Sequence, residues 1–108
     1  MQTAPVQFID ARAQHEFAAS RIAGSIHLSP DMFAAGAPAA ALALDRSLPI
    51  VVYCTGGSCE SSLLVALRLR EMGYTQLGVY EDGLDGWRKA QLPIDATPLT
   101  TPPPGGGK

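Results

Sequence analysis

The sequence predicts an α/β domain with a mostly parallel sheet and helices on its faces, and three observations carry that reading. Strand-prone and helix-prone segments alternate along the chain, the pattern of strand–crossover–strand units. The run Pro49-Ile50-Val51-Val52-Tyr53 has no polar alternation, which suits a central strand covered on both faces. The 108 residues, 46% of them hydrophobic, can build one core and hardly two.

In chain order, Gln7-Phe8-Ile9 is a short β-prone run, and Ala13 to Ala19 is helix-prone with Phe17 as its apolar anchor. Gly24 marks a turn into the strand-like Ser25-Ile26-His27-Leu28. "LSPDMF" reads as a helix start, with Ser29 as N-cap, Pro30 in the first helical position and Asp31 complementing the dipole. Gly36 and Pro38 divide the alanine-rich segment to Leu44 into two short helices. From Ser61 to Met72, leucines, Val65 and Ala66 cover more than one face, so a well-buried helix is expected, with Gly73 as its left-handed cap. Leu77 to Tyr80 is a further strand, and Leu84 to Ala90 a helix carrying Trp87. The closing "TPLTTPPPGGGK" is rich in Pro and Gly and poor in apolar residues. The domain is therefore placed at residues 1–96, with 97–108 as a disordered tail or linker.

Composition excludes several function classes. Eight basic against ten acidic side chains, with no Lys/Arg cluster, leave no electrostatic footprint for nucleic acid. The apolar stretches fall far short of the roughly 20 residues that span a bilayer, and a signal-peptide pattern is missing from the N-terminus. Membrane insertion is not expected. Two cysteines are too few for a disulfide-stapled scaffold, which points to a reducing, cytoplasmic setting.

Those two cysteines, in "YCTGGSCESS", are the chemistry-bearing feature. Ligands of open parallel sheets bind beyond the carboxyl ends of strands, and Cys54 stands there, immediately after the central run. Thr55-Gly56-Gly57-Ser58 contains two residues that turn their amides inward without a Cβ cost. With the start of the following helix, such a loop would stabilise a thiolate or persulfide anion at Cys54. The plainer alternative is a small buried hydrophobe ending a core strand. Cys59 reads as a packed or exposed thiol, as a resolving or second sulfur-carrying group, or as half of a transient disulfide. No metal site is expected. His15 and His27, the only histidines, each sit in a segment with its own structural explanation, and the cysteine spacing is wrong for zinc. A Cys-based phosphatase needs Arg at the sixth position after its cysteine; Glu60 is there, and it would repel a phosphate dianion. Glu60 is expected to face outward, since an inward carboxylate would oppose the thiolate.

Three ordered stretches resemble the rhodanese (sulfurtransferase) family. "FIDARAQHEFAASRIAGSIHLSP" is similar to its first signature through Asp10, Arg12, Glu16, Phe17, Ile22 and Gly24. "VVYCTGGSCESS" is similar to its central strand and active-site loop, and "VYEDGLDGWRKAQLPI" to its closing signature through Gly83, Trp87 and Pro93. The resemblance implies a rhodanese-like three-layer domain with a central, mostly parallel five-stranded sheet. It implies that Cys54 is the catalytic, persulfide-forming nucleophile, and that Thr55, Gly56, Gly57, Ser58, Cys59, Glu60 and Ser61 form the substrate-binding loop. The implied reaction takes a sulfane sulfur from thiosulfate or a persulfide to a thiol or cyanide and requires no cofactor. The partners implied are a small sulfur-containing substrate, a thiol acceptor or an acceptor protein. The loop departs from many single-domain members in being longer and lacking an Arg, which favours a thiol or persulfide donor over thiosulfate capture by a cation. Members also usually carry a strand and helix ahead of the first signature, so this chain reads as a domain of a longer fused protein. Asp10 and Arg12 read as a structural charged pair, Trp87 as core, and Glu81, Asp82 and Asp85 as an acidic rim suited to a basic partner surface. Two other readings stay open: a noncatalytic interaction module, and a Cys54/Cys59 thiol–disulfide switch.

Overall fold

A computed structural model describes residues 6–57 and 60–96. The expected tail, 97–108, lies outside the described residues.

The chain runs β1 (Gln7–Asp10), α1 (Gln14–Ala19), β2 (Ser20–Ile22), β3 (Ile26–His27), a 3-10 turn (Pro30–Phe33), α2 (Ala39–Leu42), β4 (Ile50–Tyr53), α3 (Glu60–Glu71), β5 (Leu77–Tyr80), α4 (Gly83–Lys89) and β6 (Ile94–Ala96). The apolar run is central as expected: β4 pairs in parallel with β1 on one side and β5 on the other, and β3 adds to β1. The parallel sheet has four strands, ordered β3-β1-β4-β5, rather than five. The two further strands, β2 and β6, instead pair with each other as an antiparallel ribbon. The ribbon ties the closing segment back to the first signature: the Gly24 amide donates to Asp95 Oδ2 at 3.0 Å, and the Ala23 amide to the Pro93 carbonyl at 3.2 Å.

Alternation along the strands sorts the core into two layers. Ile9, Ile50 and Val52 pack with Val65 and Leu69 of α3, together with Leu28 and Tyr74. On the opposite face Tyr53 packs with Ile22 and Leu84 of α4, and Phe8, Tyr80 and Trp87 close around them. Each such aliphatic side chain stabilises the fold by roughly 1.5–3 kcal/mol. Trp87 is therefore a packing residue, edge-on to Phe8 at 5.1 Å, and its indole N–H donates to the Pro93 carbonyl.

Helix α3 departs from expectation. Only Ser62, Val65 and Leu69 are buried, while Leu63, Leu64 and Leu67 remain 54%, 48% and 45% exposed. The sheet offers the helix one contact face, so leucines on its other faces meet solvent. Its end is as expected: Gly73 has φ +101°, and amide bonds from Gly73 to Arg70 and from Tyr74 to Leu69 close a Schellman cap. The expected helix at Ser29 is only a 3-10 turn, and the alanine-rich helix is four residues long.

Candidate functional site

Cys54 leaves β4 at its carboxyl end, 9% exposed, after the fully buried Tyr53. The β4–β5 register pairs Tyr53 with Tyr80, so the residues that follow β5 flank those that follow β4. An open groove of about 430 Å³ results, in which Cys54, Gly57 and Ser62 face Val79, Tyr80, Glu81 and Asp82, with Leu63 at its side. None of these lining residues is basic. Lys89 lines an adjoining hollow with Gly56, Asp82 and Asp85.

The loop is shaped by glycine. Gly56 has φ +150° and Gly57 +66°, both in the region that side chains disfavour. Helix α4 presses directly on the loop: the Leu84 and Asp85 amides donate to the Cys54 and Thr55 carbonyls at 2.9 and 2.8 Å. Gly83 makes that approach feasible. At φ +61°, a Cβ there would lie 2.5 Å from the Cys54 carbonyl oxygen and 2.7 Å from the Gly56 nitrogen.

Beneath the loop lies a buried polar network. Asp10, 0% exposed, accepts from Arg12 Nε at 3.0 Å and its terminal nitrogen at 2.7 Å, and from the Tyr53 hydroxyl at 2.8 Å. Arg12 also donates to the Ser20 carbonyl at 2.5 Å. The Tyr53 oxygen accepts the Ile22 amide at 3.0 Å. Asp10 and Arg12 thus have the structural role expected of them, joining β1, β4 and the ribbon. Burial pushes the Tyr53 phenol up to about 12, against hydrogen bonds from Ser25 and Ile22 that lower it. His27 Nε2 meets the Arg12 carbonyl at 2.7 Å, and its ring stacks on Phe17. His15 is exposed on α1. Among the described residues no cluster of three metal-ligating side chains occurs.

The Cys54 sulfur is engaged in a disulfide. Of the loop residues expected at the site, Cys54 and Gly57 line the groove, and Gly56 lines the hollow beside it. Thr55 and Glu60 are exposed and Ser61 is half-buried, and none of the three lines the groove. Glu60 begins α3 facing solvent, as expected. Ser58 and Cys59 lie outside the described residues. Sequence reasoning did not assign Ser62, Leu63, Val79 and Tyr80 to the site. The available signal was topological, since neighbouring parallel strands open onto one mouth.

Comparison with known proteins bears on this geometry. The rhodanese-like domain family model matches residues 1–90. The chain is 38% identical over 89 residues to thiosulfate sulfurtransferase GlpE of Haemophilus influenzae, covering 82% of this chain and 79% of that one. It is 30% identical over 95 residues to thiosulfate sulfurtransferase GlpE of Actinobacillus succinogenes, covering 88% and 80%. Among solved structures, the rhodanese-like domain of an Anabaena protein superposes with a TM-score of 0.69 at 20% identity, over 83% of this chain and 86% of that one. A Bacillus halodurans protein superposes with 0.74 at 18% identity, over 85% and 64%. The structural likenesses show the fold; with the family match and the sequence identities, they establish that this chain belongs to the family of rhodanese-like domains.

Proposed function

We propose that this chain is a sulfurtransferase that carries a sulfane sulfur on Cys54. One observation carries the reading: the nucleophile-bearing loop opens into a groove at the mouth of a parallel sheet, in a chain similar to named thiosulfate sulfurtransferases. Two equivalents of an external thiol first reduce the Cys54 disulfide through a mixed disulfide, leaving a Cys54 thiolate and the thiol's own disulfide. That thiolate attacks the outer sulfur of a donor such as thiosulfate or a persulfide. A Cys54–sulfur bond forms, the donor's sulfur–sulfur bond breaks, and sulfite or a thiolate departs with the electron pair. An acceptor thiolate or cyanide then attacks the outer sulfur of the persulfide and Cys54 leaves as thiolate. Left-handed backbone at Gly56 and Gly57 is the conformation that lets successive peptide N–H groups face an anion. The chemistry requires no cofactor and suits a reducing, cytoplasmic compartment. The catalytic unit is residues 1–96, and the loop 55–61 supplies the substrate-binding amides.

The test is intact mass after reduction and incubation with thiosulfate, 3-mercaptopyruvate or glutathione persulfide. The natural chain and Cys59→Ser are expected to gain one sulfur and Cys54→Ser none. No gain from any donor would sink the assignment. A second reading, a thiol–disulfide switch, is favoured by the disulfide at Cys54; it predicts reversible loss of two hydrogens under mild oxidant and no sulfur gain.

A further inference from the structure

Beside the Cys54 groove lies a second hollow of about 590 Å³, between the loop and the exposed face of α4. Its floor is backbone, with Gly56 and Gly57 from the loop and Gly86 from the helix. Side chains have no room there. A Cβ on Gly56 would lie 2.8 Å from the Asp82 carbonyl oxygen, and one on Gly86 would lie 2.4 Å from Asp82 Cβ and 3.4 Å from the Tyr80 hydroxyl.

Asp82, Asp85 and Lys89 border this floor, brought to one side of α4 by their three- and four-residue spacings. Among the described residues none of the three takes part in an ion pair or a side-chain hydrogen bond. Both signs of charge are thus available to a ligand. The hollow and the groove meet at Gly57 and Asp82, which line both, whereas Cys54 lines the groove and Lys89 the hollow. Lys89 stands six residues beyond Gly83, roughly 9 Å along the helix, and its Cα–Cβ bond leans back toward the loop. From the reacting sulfur outward, the order met is therefore carboxylate, then ammonium. Two carboxylates to one ammonium leave the hollow acidic, which disfavours a thiol bearing only a carboxylate; a thiol bearing only an ammonium leaves Lys89 unanswered.

We infer that this hollow is a subsite for the head group of a free α-amino-acid thiol of the cysteine type, which accepts the Cys54 sulfur: Asp82 holds its ammonium and Lys89 its carboxylate. The inference rests on the sulfur-carrying role of Cys54. Charge-assisted hydrogen bonds at both ends of the head group fix its orientation. With the sulfur placed at Cys54 as well, three substituents of the α-carbon are held, so the subsite distinguishes enantiomers. The step balances as an exchange. The acceptor thiolate bonds to the outer sulfur of the Cys54 persulfide, the Cys54 sulfur–sulfur bond breaks, Cys54 departs as thiolate, and the amino-acid persulfide leaves.

The test uses the reduced chain loaded with one sulfur by glutathione persulfide and freed of the reagent. Single-turnover transfer is followed to L-cysteine, D-cysteine, cysteamine and 3-mercaptopropionate, each rate corrected for the fraction present as thiolate. L-cysteine should exceed both D-cysteine and cysteamine by about 10-fold, the worth of one charged contact, and 3-mercaptopropionate should be slowest. Lys89→Met should bring the two enantiomers to within about 2-fold of each other, and Lys89→Arg should keep them apart. Equal rates for the enantiomers, or a preference for L-cysteine that survives Lys89→Met, would overturn the subsite while leaving the sulfurtransferase standing. So would rates that follow net charge alone, with cysteamine fastest. Failure of Cys54 to take up sulfur at all would overturn the enzymatic reading instead.

Discussion

Asp10 is a buried carboxylate whose charge is met by a guanidinium fork, a backbone amide and a phenol. Moving such a charge out of water costs several kcal/mol, and these partners offset the cost only while all are present. Asp10→Asn leaves the Arg12 charge, 7% exposed, without its counter-ion, and should destabilise the fold by about 3–5 kcal/mol in urea unfolding. Arg12→Lys should fail to preserve stability, because an ammonium cannot reproduce the fork. Tyr53 adds a dependence on pH. Its phenol titrates near 10.0 when unfolded and near 12 when folded, so the folded chain holds the proton more tightly. The associated stability is complete below pH 10.0 and is lost as pH rises through about 12. Tyr53→Phe should cost about 1–3 kcal/mol at neutral pH by leaving the Ile22 amide and Asp10 short of a partner. The gap between the natural chain and the variant should then narrow above pH 10. A gap constant across that range in denaturant titrations would refute the linkage.

Helix α4 meets the Cys54 loop backbone to backbone, and Gly83 is the contact. Gly83→Ala forces a Cβ against three main-chain atoms at 2.5 to 2.7 Å in a left-handed conformation. It should cost about 2–4 kcal/mol and lower the rate of sulfur uptake at Cys54 by about 10-fold or more through displacement of the loop. Gly78, with open space around its Cβ position, is the control: Ala there should change stability by no more than about 0.5 kcal/mol. The same contrast explains what the sequence made legible. The central strand, β5, the cap at Gly73 and the cysteine at a strand end all rest on local chemistry, namely apolar runs and glycine placement. The β2–β6 ribbon does not, because Ser20-Arg21-Ile22 carries no strand signal without Ile94 opposite it. The exposure of Leu63, Leu64 and Leu67 was hidden for a related reason: a helix apolar on several sides does not say how many sides will be covered. At the site, Cys54 and Gly57 of the near wall follow the central strand directly and are readable, whereas Ser62 and Leu63, one turn into α3, are not. The far wall, Val79 to Asp82, depends on which strand lies beside β4.

At the scale of the whole molecule, the proposed sulfur transfer makes electrostatics the selector of which sulfur compounds would reach Cys54. The net charge is −2, and the groove concentrates acid, with Glu81 and Asp82 at its wall and, among the described residues, no basic residue lining it. A thiosulfate dianion approaching that mouth is repelled, whereas a neutral persulfide is indifferent and a cationic thiol is drawn in. Both acidic groups are exposed, so the effect is screened by salt: the Debye length shrinks from about 30 Å at 0.01 M to about 10 Å at 0.1 M. Over that range kcat/KM for thiosulfate should rise about 2- to 3-fold, that for cysteamine as acceptor should fall by a similar factor, and that for a neutral donor should stay level. Asp82→Asn should mimic high salt, raising the thiosulfate value at 0.01 M and flattening its salt dependence. Because Asp82 is exposed while Cys54 sits below the rim, this substitution should alter encounter and leave the sulfur-transfer step alone, so single-turnover transfer from preloaded Cys54 to a neutral thiol should match the natural chain. A thiosulfate rate that falls with salt, or that ignores Asp82→Asn, would mean that a cation outside the loop, such as Lys89 in the adjoining hollow, captures the donor and that the acidic wall does not govern access.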